Sequence, residues 1–354
     1  MARGRKSARL PRPKEAAAAA VLTGAAAVGG KLAKDRLVSG ADADARAYRL
    51  TRNEFVPDGM RRITRGQLDQ GIEELAGQPN RRLDDAVHET RKRLKRLRAS
   101  LRLERSAIGD ETYRRENAAF RDLGRRLSGP RDAAVLVETL DELTERFRDE
   151  LPPEATRPLR DQLEQMHERS VTELRRDKAA IDEARAELDD ARVRSASWTY
   201  DVDGFEALRP GLERIYRRGR RSMRAAAKEP STANFHEWRK RAKDLWHAAQ
   251  IVRPAAPKRM KKLAKRAHRL SDLLGDDHDL SVLRERVTQT GVDFEHEGTR
   301  AALLSVIDRR RAALQRRAFK LGERIYARPP KSFARSVERS WDRRAAKHPQ
   351  PVAG

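Results

Sequence analysis

A nine-residue segment that occurs twice, 148 residues apart, constrains the fold of this chain more than any other feature. Residues 87–95 read VHETRKRLK and residues 235–243 read FHEWRKRAK, so six of the nine positions are identical. A repeat at this distance indicates two copies of a large unit, because solenoid repeats recur at intervals of roughly 20 to 50 residues. The shared residues are a histidine, a glutamate and four cations, which predicts a polyanionic ligand.

The repeat continues downstream, where residues 123–136 match residues 270–283 at an offset of 147. Leucines, a valine and one aspartate recur, and a single one-residue gap reconciles the two blocks. Asp132 and Asp279 each follow a glycine-containing stretch and precede an apolar run, which predicts a turn and then a helix N-cap in both copies.

Helical periodicity extends from Met60 to near the end of the chain, with no convincing strand alternation, so we predict an all-α protein. The expected domains are a basic, Ala/Gly-rich flexible tail (1–49), two similar helical halves (50–198 and 199–347) and a disordered C-terminus (348–354). The predicted helices are 60–76, 81–105, 111–127, 132–150, 156–195, 205–227, 232–252, 257–274, 279–290, 298–327 and 332–345.

The composition limits the function classes. The formal net charge is +25, and apolar residues make up 38% of the chain, too many for a fully disordered polycation. The absence of cysteine excludes disulfides, thiolate zinc sites and thiol catalysis, and suits a cytoplasmic location. The uncharged run Ala16–Gly30 is too short to cross a bilayer, so we expect no membrane insertion.

The cations fall on helix faces separate from the apolar stripes. In the first copy, Val87, Leu94 and Leu101 share one face, while the basic residues lie about 130° away. In the second copy, the predicted core face consists of Phe235, Trp238, Ala242, Leu245 and Ala249. Rows of like charge destabilise an isolated helix, and a bound polyanion would relieve that cost. For one row, an ordinary cationic surface is an equally good interpretation; four rows favour a ligand. The rows are His88, Arg91, Lys92, Lys95 and Arg102; His236, Arg239, Lys240 and Lys243; Arg217, Arg220, Arg221 and Arg224; and Lys258, Lys261, Lys262, Lys265 and Arg269.

No catalytic or cofactor motif is recognisable, so we expect no cofactor, no catalytic residue and no metal. Residues 276–279 (DDHD) resemble a metal cluster, but only the final aspartate recurs in the first copy. We interpret them as a helix start with a local salt bridge. His88 and His236 lie among cations, which should keep both imidazoles neutral.

The His-led basic helix, the duplicated downstream segment and the all-helical halves together resemble the CHAD family across about residues 50–345. The resemblance implies two pseudo-symmetric helical bundles around a basic groove that binds inorganic polyphosphate, and association with polyphosphate granules. Carried over by position, it implies phosphate contacts by His88, Arg91, Lys92, Lys95, His236, Arg239, Lys240 and Lys243, with Arg217, Arg220, Arg221 and Lys262 or Lys265 as additions.

Some members of that family also carry a triphosphate-tunnel domain with a Glu-x-Glu-x-Lys motif, which this sequence lacks. The resemblance therefore implies a stand-alone binding module and not an enzyme. The alternatives are a nucleic-acid-binding protein, supported by the basic arm Arg3–Lys14, and an accessory subunit of a phosphate-metabolising enzyme. Asp69, Glu73 and Glu74 stand where the second half carries arginines, so the halves need not contribute equally.

Overall fold

The computed structural model describes residues 44, 46–52, 54–77, 83–127, 130–289, 294 and 297–346. Residues 44, 46 and 47 are helical and belong to a separate unit, 1–47. Most of the predicted tail and all of the predicted C-terminal segment lie outside these ranges. Eleven helices follow in the described part of Tyr48–Gly354: α1 (Val56–Ala76), α2 (Leu83–Ile108), α3 (Asp110–Arg126), α4 (Pro130–Arg146), α5 (Pro153–Arg176), α6 (Lys178–Ala196), α7 (Arg209–Lys228), α8 (Thr232–Ile251), α9 (Pro257–Gln289), α10 (Glu297–Ile325) and α11 (Pro330–Ala345).

The all-α prediction is confirmed, since the described ranges contain helices and connections but no β-strand. Prolines mark several helix starts because their fixed φ suits the first turn and their missing N–H costs nothing there. Pro130, Pro153, Pro257 and Pro330 each stand at the first position of a helix. The prediction of a single helix over 156–195 is wrong, because this range contains two helices, α5 and α6. Asp177 caps α6 by accepting a hydrogen bond from the backbone N–H of Ala180 at 3.0 Å.

The predicted turn between 274 and 279 is also wrong, because α9 runs unbroken from Pro257 to Gln289. Asp279 therefore lies inside the helix and does not cap it. Glycine is tolerated inside a long, well-packed helix at a cost of about 1 kcal/mol, so Gly275 alone did not require a break. In the first copy α4 begins at Pro130, which places Asp132 in its first turn; the Asp132 side chain lies outside the described part of the structure.

Two hydrophobic clusters hold the helices together. The smaller lies among α1, α2, α3 and α6 and includes Leu94 and Phe120. The larger contains most of the second half, including Trp238, together with Leu140 of α4 and Leu159 of α5. The core therefore does not divide at the connection between the predicted halves. Their pseudo-symmetric arrangement around a groove stays a prediction.

Helices α2 and α8, which carry the two copies of the repeated segment, are joined by buried contacts. Arg102 of α2 forms an ion pair with Asp244 of α8 at 3.3 Å. Tyr48, which is 1% exposed, donates a hydrogen bond to the Arg96 carbonyl at 3.0 Å and meets the His247 ring edge-on. These contacts fix the basic faces of α2 and α8 relative to each other.

Candidate polyanion-binding site

Helix α8 presents its basic row because the opposite side is fully buried. Trp238 and Leu245 are each 0% exposed and anchor the helix in the larger hydrophobic cluster. Ser231 caps its start by accepting a hydrogen bond from the Asn234 backbone N–H. The predicted core face of α8 is confirmed. Its basic row faces α9 and the crossing with α2 and consists of His236, Arg239, Lys240 and Lys243.

Gly275 lets the Arg239 guanidinium lie directly against α9. A Cβ atom at position 275 would stand 3.3 Å from Nε of Arg239, closer than nearly all real contacts of this type. The Nε atom is shut off from solvent and has no hydrogen-bond partner in the described part of the chain. Arg239 is therefore held between α8 and α9, and its Nε–H group donates no hydrogen bond to a described residue.

His236 and His278 form a ring pair between α8 and α9, with centroids 4.3 Å apart. Burial, then the charge of His278, then those of Lys240, Arg239 and Lys243 lower the pKa of His236 to about 4. Burial and the charge of Arg239 likewise lower the pKa of His278. Both rings are therefore neutral near pH 7, as the sequence predicts for His236. The Nδ1 atoms of both are inaccessible to solvent and unpartnered among the described residues.

Lys243 lies where charges from both copies of the repeated segment act together. Burial first, and then the charges of Arg239 and Lys95, lower its pKa to about 7 against the opposite effect of Asp272 and Asp279. Lys95 of the first copy therefore acts on Lys243 of the second. The structure brings together one set of residues from α2, α8 and α9, called here the basic cluster: Lys95, His236, Arg239, Lys240, Lys243 and His278.

The remaining residues of the first copy lie further towards the start of α2. His88 and Arg91 are half-buried, two turns and one turn before Lys95. Lys92 forms an ion pair with Glu89 at 2.8 Å, and Lys240 forms the matching pair with Glu237 at 3.7 Å. The repeated glutamate thus holds the lysine three residues later in both copies.

The predicted additions belong to α7 and to the first third of α9. Arg217 pairs with Glu213 of its own helix, and Arg221 is exposed. The charge of Arg220 acts on Tyr216 together with that of Arg328, near α11. Lys262 and Lys265 are exposed in the first third of α9. The phosphate contacts of these side chains stay predictions.

Carboxylates flank the basic cluster on the side of α4 and α9. A cleft of about 640 Å³ between α4 and α9 is lined by Glu142, Asp276 and Asp279 as well as Arg310. Burial and Glu142 raise the pKa of Asp276, while Arg310 lowers it. Within the described ranges, no group of three His, Asp or Glu side chains converges as a metal site. Acidic surface thus borders the basic cluster on one side.

Sequence reasoning missed His278 as a member of the site. Helical geometry turns its neighbour Asp277 inward, where the carboxylate accepts hydrogen bonds from Arg311 at 3.1 Å and Gln315 at 2.8 Å, both on α10. The predicted local salt bridge is therefore a contact between helices. The unbroken helix α9 is what carries His278 to His236. The turn assumed at residue 275 hid this contact from the sequence analysis.

Comparison with known proteins identifies the family. No curated protein matches the chain. No helix among the described residues is long and apolar enough to span a bilayer. The family model of the CHAD domain matches residues 62–288, which include both copies of the His-led segment and the whole basic cluster. The chain belongs to the CHAD domain family.

Proposed function

We propose that this protein binds inorganic polyphosphate through the basic cluster. The observation that carries the proposal is the convergence of Lys95, Arg239 and Lys243 around the His236–His278 pair, where three helices meet. The ammonium groups of Lys240 and Lys243 and the guanidinium group of Arg239 donate charge-assisted hydrogen bonds of the kind that phosphate oxygens accept. The family relationship supports the same ligand.

Nucleic acid fits the cluster less well. Proteins that bind single strands stack bases on exposed aromatic rings. Trp238 is 0% exposed, and Trp246 is enclosed by rings, with His247 and His268 stacked at 4.6 and 4.1 Å. Carboxylates of the α4–α9 cleft would repel a wide polyanion. A thin, unbranched phosphate chain can follow the cations without covering these acids.

The proposed activity is binding without hydrolysis, with attachment to polyphosphate granules as its cellular use. Uniform cationic contacts stabilise bound substrate and transition state alike, which gives affinity without rate. Incubation with long-chain polyphosphate and Mg²⁺ or Mn²⁺ should leave the chain length unchanged. Protein-dependent shortening that disappears in a His88→Ala, His236→Ala double variant would show catalysis.

The binding proposal is tested by competition of long-chain polyphosphate against single-stranded and duplex DNA at several salt concentrations. We expect polyphosphate to displace both nucleic acids and its affinity to fall steeply with salt, because several cation–phosphate contacts release counterions. Preference for DNA, or a flat salt response, would contradict the proposal.

The decisive variant carries Lys240→Glu and Lys243→Glu. Its matched control carries Lys178→Glu and Arg185→Glu, which change the net charge equally on exposed positions of α6. Only the first variant should lose polyphosphate binding. Equal losses would mean that net charge, and not the basic cluster, determines affinity.

A further inference from the structure

A small cavity lies where α2, α3, α7 and α8 meet, and Tyr113 is its lining residue from α3. Its volume is about 10 Å³, which is room for one water-sized particle. Among the described residues that line it, Asp244 of α8 is the only acid. Five arginines line the same cavity: Arg102 and Arg105 of α2, Arg214 and Arg218 of α7, and Arg241 of α8. The walls of the cavity therefore carry an excess of positive charge.

Three of these arginines have close carboxylate partners. The buried carboxylate of Asp244 accepts a hydrogen bond from Arg241 at 2.8 Å and lies 3.3 Å from Arg102. Arg105 donates two hydrogen bonds, at 2.6 and 2.7 Å, to Asp110. These contacts hold three guanidinium groups beside the cavity. Asp244 has to share its single negative charge between two of them.

The other two arginines, Arg214 and Arg218, are less well neutralised. Arg214 donates a hydrogen bond to the Ser106 hydroxyl at 3.3 Å and forms no ion pair with a carboxylate of the described residues. Arg218 lies 3.7 Å from Glu237, which Arg241 approaches more closely, at 2.9 Å. Burial and the charge of a neighbouring arginine lower the pKa of both guanidinium groups. A half-buried cation without a counter-charge destabilises the fold, so a negative charge in the cavity would stabilise it.

We propose that this cavity binds one chloride ion, which joins α2 and α3 to α7 and α8. Arginine offers both charge and N–H donors to an anion, and Arg214 and Arg218 contribute the charge that the nearby acids leave uncompensated. Space for one water-sized particle favours a single compact ion over a phosphate group or a phosphate chain. The site shares no residue with the basic cluster and its ligand is a structural ion, so the inference goes beyond the proposed function.

Thermal unfolding at constant ionic strength tests the proposal when chloride replaces gluconate, an anion too large for the cavity. The melting temperature should rise by roughly 1 to 3 °C between about 10 mM and about 200 mM chloride, because a ligand that binds only the folded protein stabilises it by mass action. Bromide, a halide of similar size, should act in the same way. Equal melting temperatures in chloride and gluconate would overturn the proposal.

Two variants separate the cavity from the net charge of the protein. Arg214→Gln should abolish most of the rise with chloride, whereas Arg185→Gln, the same charge loss at an exposed position of α6, should leave it unchanged. If Arg214→Gln does not fold, Arg218→Gln tests the same site, because the Arg218 side chain is 46% exposed and tolerates replacement. The same chloride response in the cavity variant and in Arg185→Gln would contradict the proposal.

Anomalous scattering from crystals grown in sodium bromide shows where the ion lies. We expect a bromide peak among Arg105, Arg214 and Arg218, and its loss in crystals of Arg214→Gln. Bromide found only at other arginines would overturn the proposal, even if the melting temperature responds to halides.

Polyphosphate binding keeps this test independent of the proposed function. Arg214→Gln should bind long-chain polyphosphate like the parent protein, and Lys240→Glu with Lys243→Glu should keep the chloride response. A chloride response that persists in Arg214→Gln but disappears in the double lysine variant would place the ion in the basic cluster and reject the cavity. Failure of the parent protein to bind polyphosphate would reject the proposed function and leave the chloride result standing.

Discussion

The two copies of the segment that follows the basic helix fold differently. In the second copy the segment lies within one helix, whereas in the first copy it is divided between two. Helix α9 continues through Gly275 and Asp277 to Gln289, whereas α3 ends at Arg126 and α4 begins at Pro130. At the offset of 147, Pro130 corresponds to Asp277. Proline lacks the N–H of a helical hydrogen bond and disfavours helix in the preceding residue, so the first copy must break there. The proline, present only in the first copy, thus accounts for the break in that copy.

This difference changes the surroundings of the two histidine-led faces. Unbroken α9 carries His278 to His236 and lets Arg239 lie on Gly275. The residue that corresponds to His278 in the first copy is Arg131, whose side chain lies outside the described part of the structure. In addition, α1 supplies acids to the first half, since Asp69 lies 3.6 Å from Arg192 and Glu74 lies 4.0 Å from Arg93. The buried lysine, Lys243, and the paired histidines therefore belong to the second copy.

The largest expected effect concerns stability, where the two copies should behave alike. Leu94 of α2 and Leu245 of α8 are 2% and 0% exposed. Replacing either by alanine should lower the free energy of unfolding by roughly 2–5 kcal/mol, through lost burial and the cavity left behind. Urea denaturation measures this. A small loss at one position only would show that the corresponding face is packed less tightly than its burial indicates.

Charge reversal should separate the copies in ligand binding. Lys240→Glu with Lys243→Glu should weaken long-chain polyphosphate binding about a hundredfold and flatten its salt dependence. Lys92→Glu with Lys95→Glu should have a smaller effect, since Lys95 adjoins Lys243 but Lys92 is paired with Glu89 at the exposed edge. Titration at two salt concentrations measures both. Equal losses would mean that the first copy contributes as much as the second.

Gly275→Ala tests whether the close approach of Arg239 to α9 matters. The new methyl group would push the guanidinium away by a few tenths of an ångström. We expect polyphosphate affinity to fall a few-fold, while the free energy of unfolding changes by no more than about 1 kcal/mol. Gly66→Ala on α1 is the matched control, because its Cβ would meet nothing within 4 Å. The control should gain stability and bind normally; equal binding by both variants would contradict a role for the Arg239 contact.

Much of the fold could be predicted from the sequence, because the apolar residues that recur at helical spacing are the ones that are buried in the structure. Trp238 and Leu245 lie on the predicted core face, and the break at Pro130 follows from proline chemistry. The site was predictable as rows of cations on single helices but not as a cluster. A glycine can mark a turn, or it can allow a neighbouring side chain to approach the helix closely. Only tertiary contacts show that Gly275 allows the close approach of Arg239.

The smallest expected effect is a pH dependence that arises at Lys243. Its pKa of about 7 in the free protein means that a growing fraction is neutral above that pH. Since polyphosphate favours the charged form, affinity should fall a few-fold from about pH 6 to about pH 8, at most about tenfold. The pKa of His236 is lowered to about 4, so this ring stays neutral across the range and does not produce the change.

Stability of the ligand-free protein should move in the opposite direction. The pKa of Lys243 is about 7 when folded, below the usual 10.5, so the unfolded chain binds more protons between these values. Stability contributed by this group therefore rises with pH across that window. Lys243→Arg stays charged throughout and should flatten both profiles. Equal losses of affinity with rising pH in the wild type and in Lys243→Arg would show that another group titrates. Lys243 would then not be the residue that couples the burial of charge to polyanion binding.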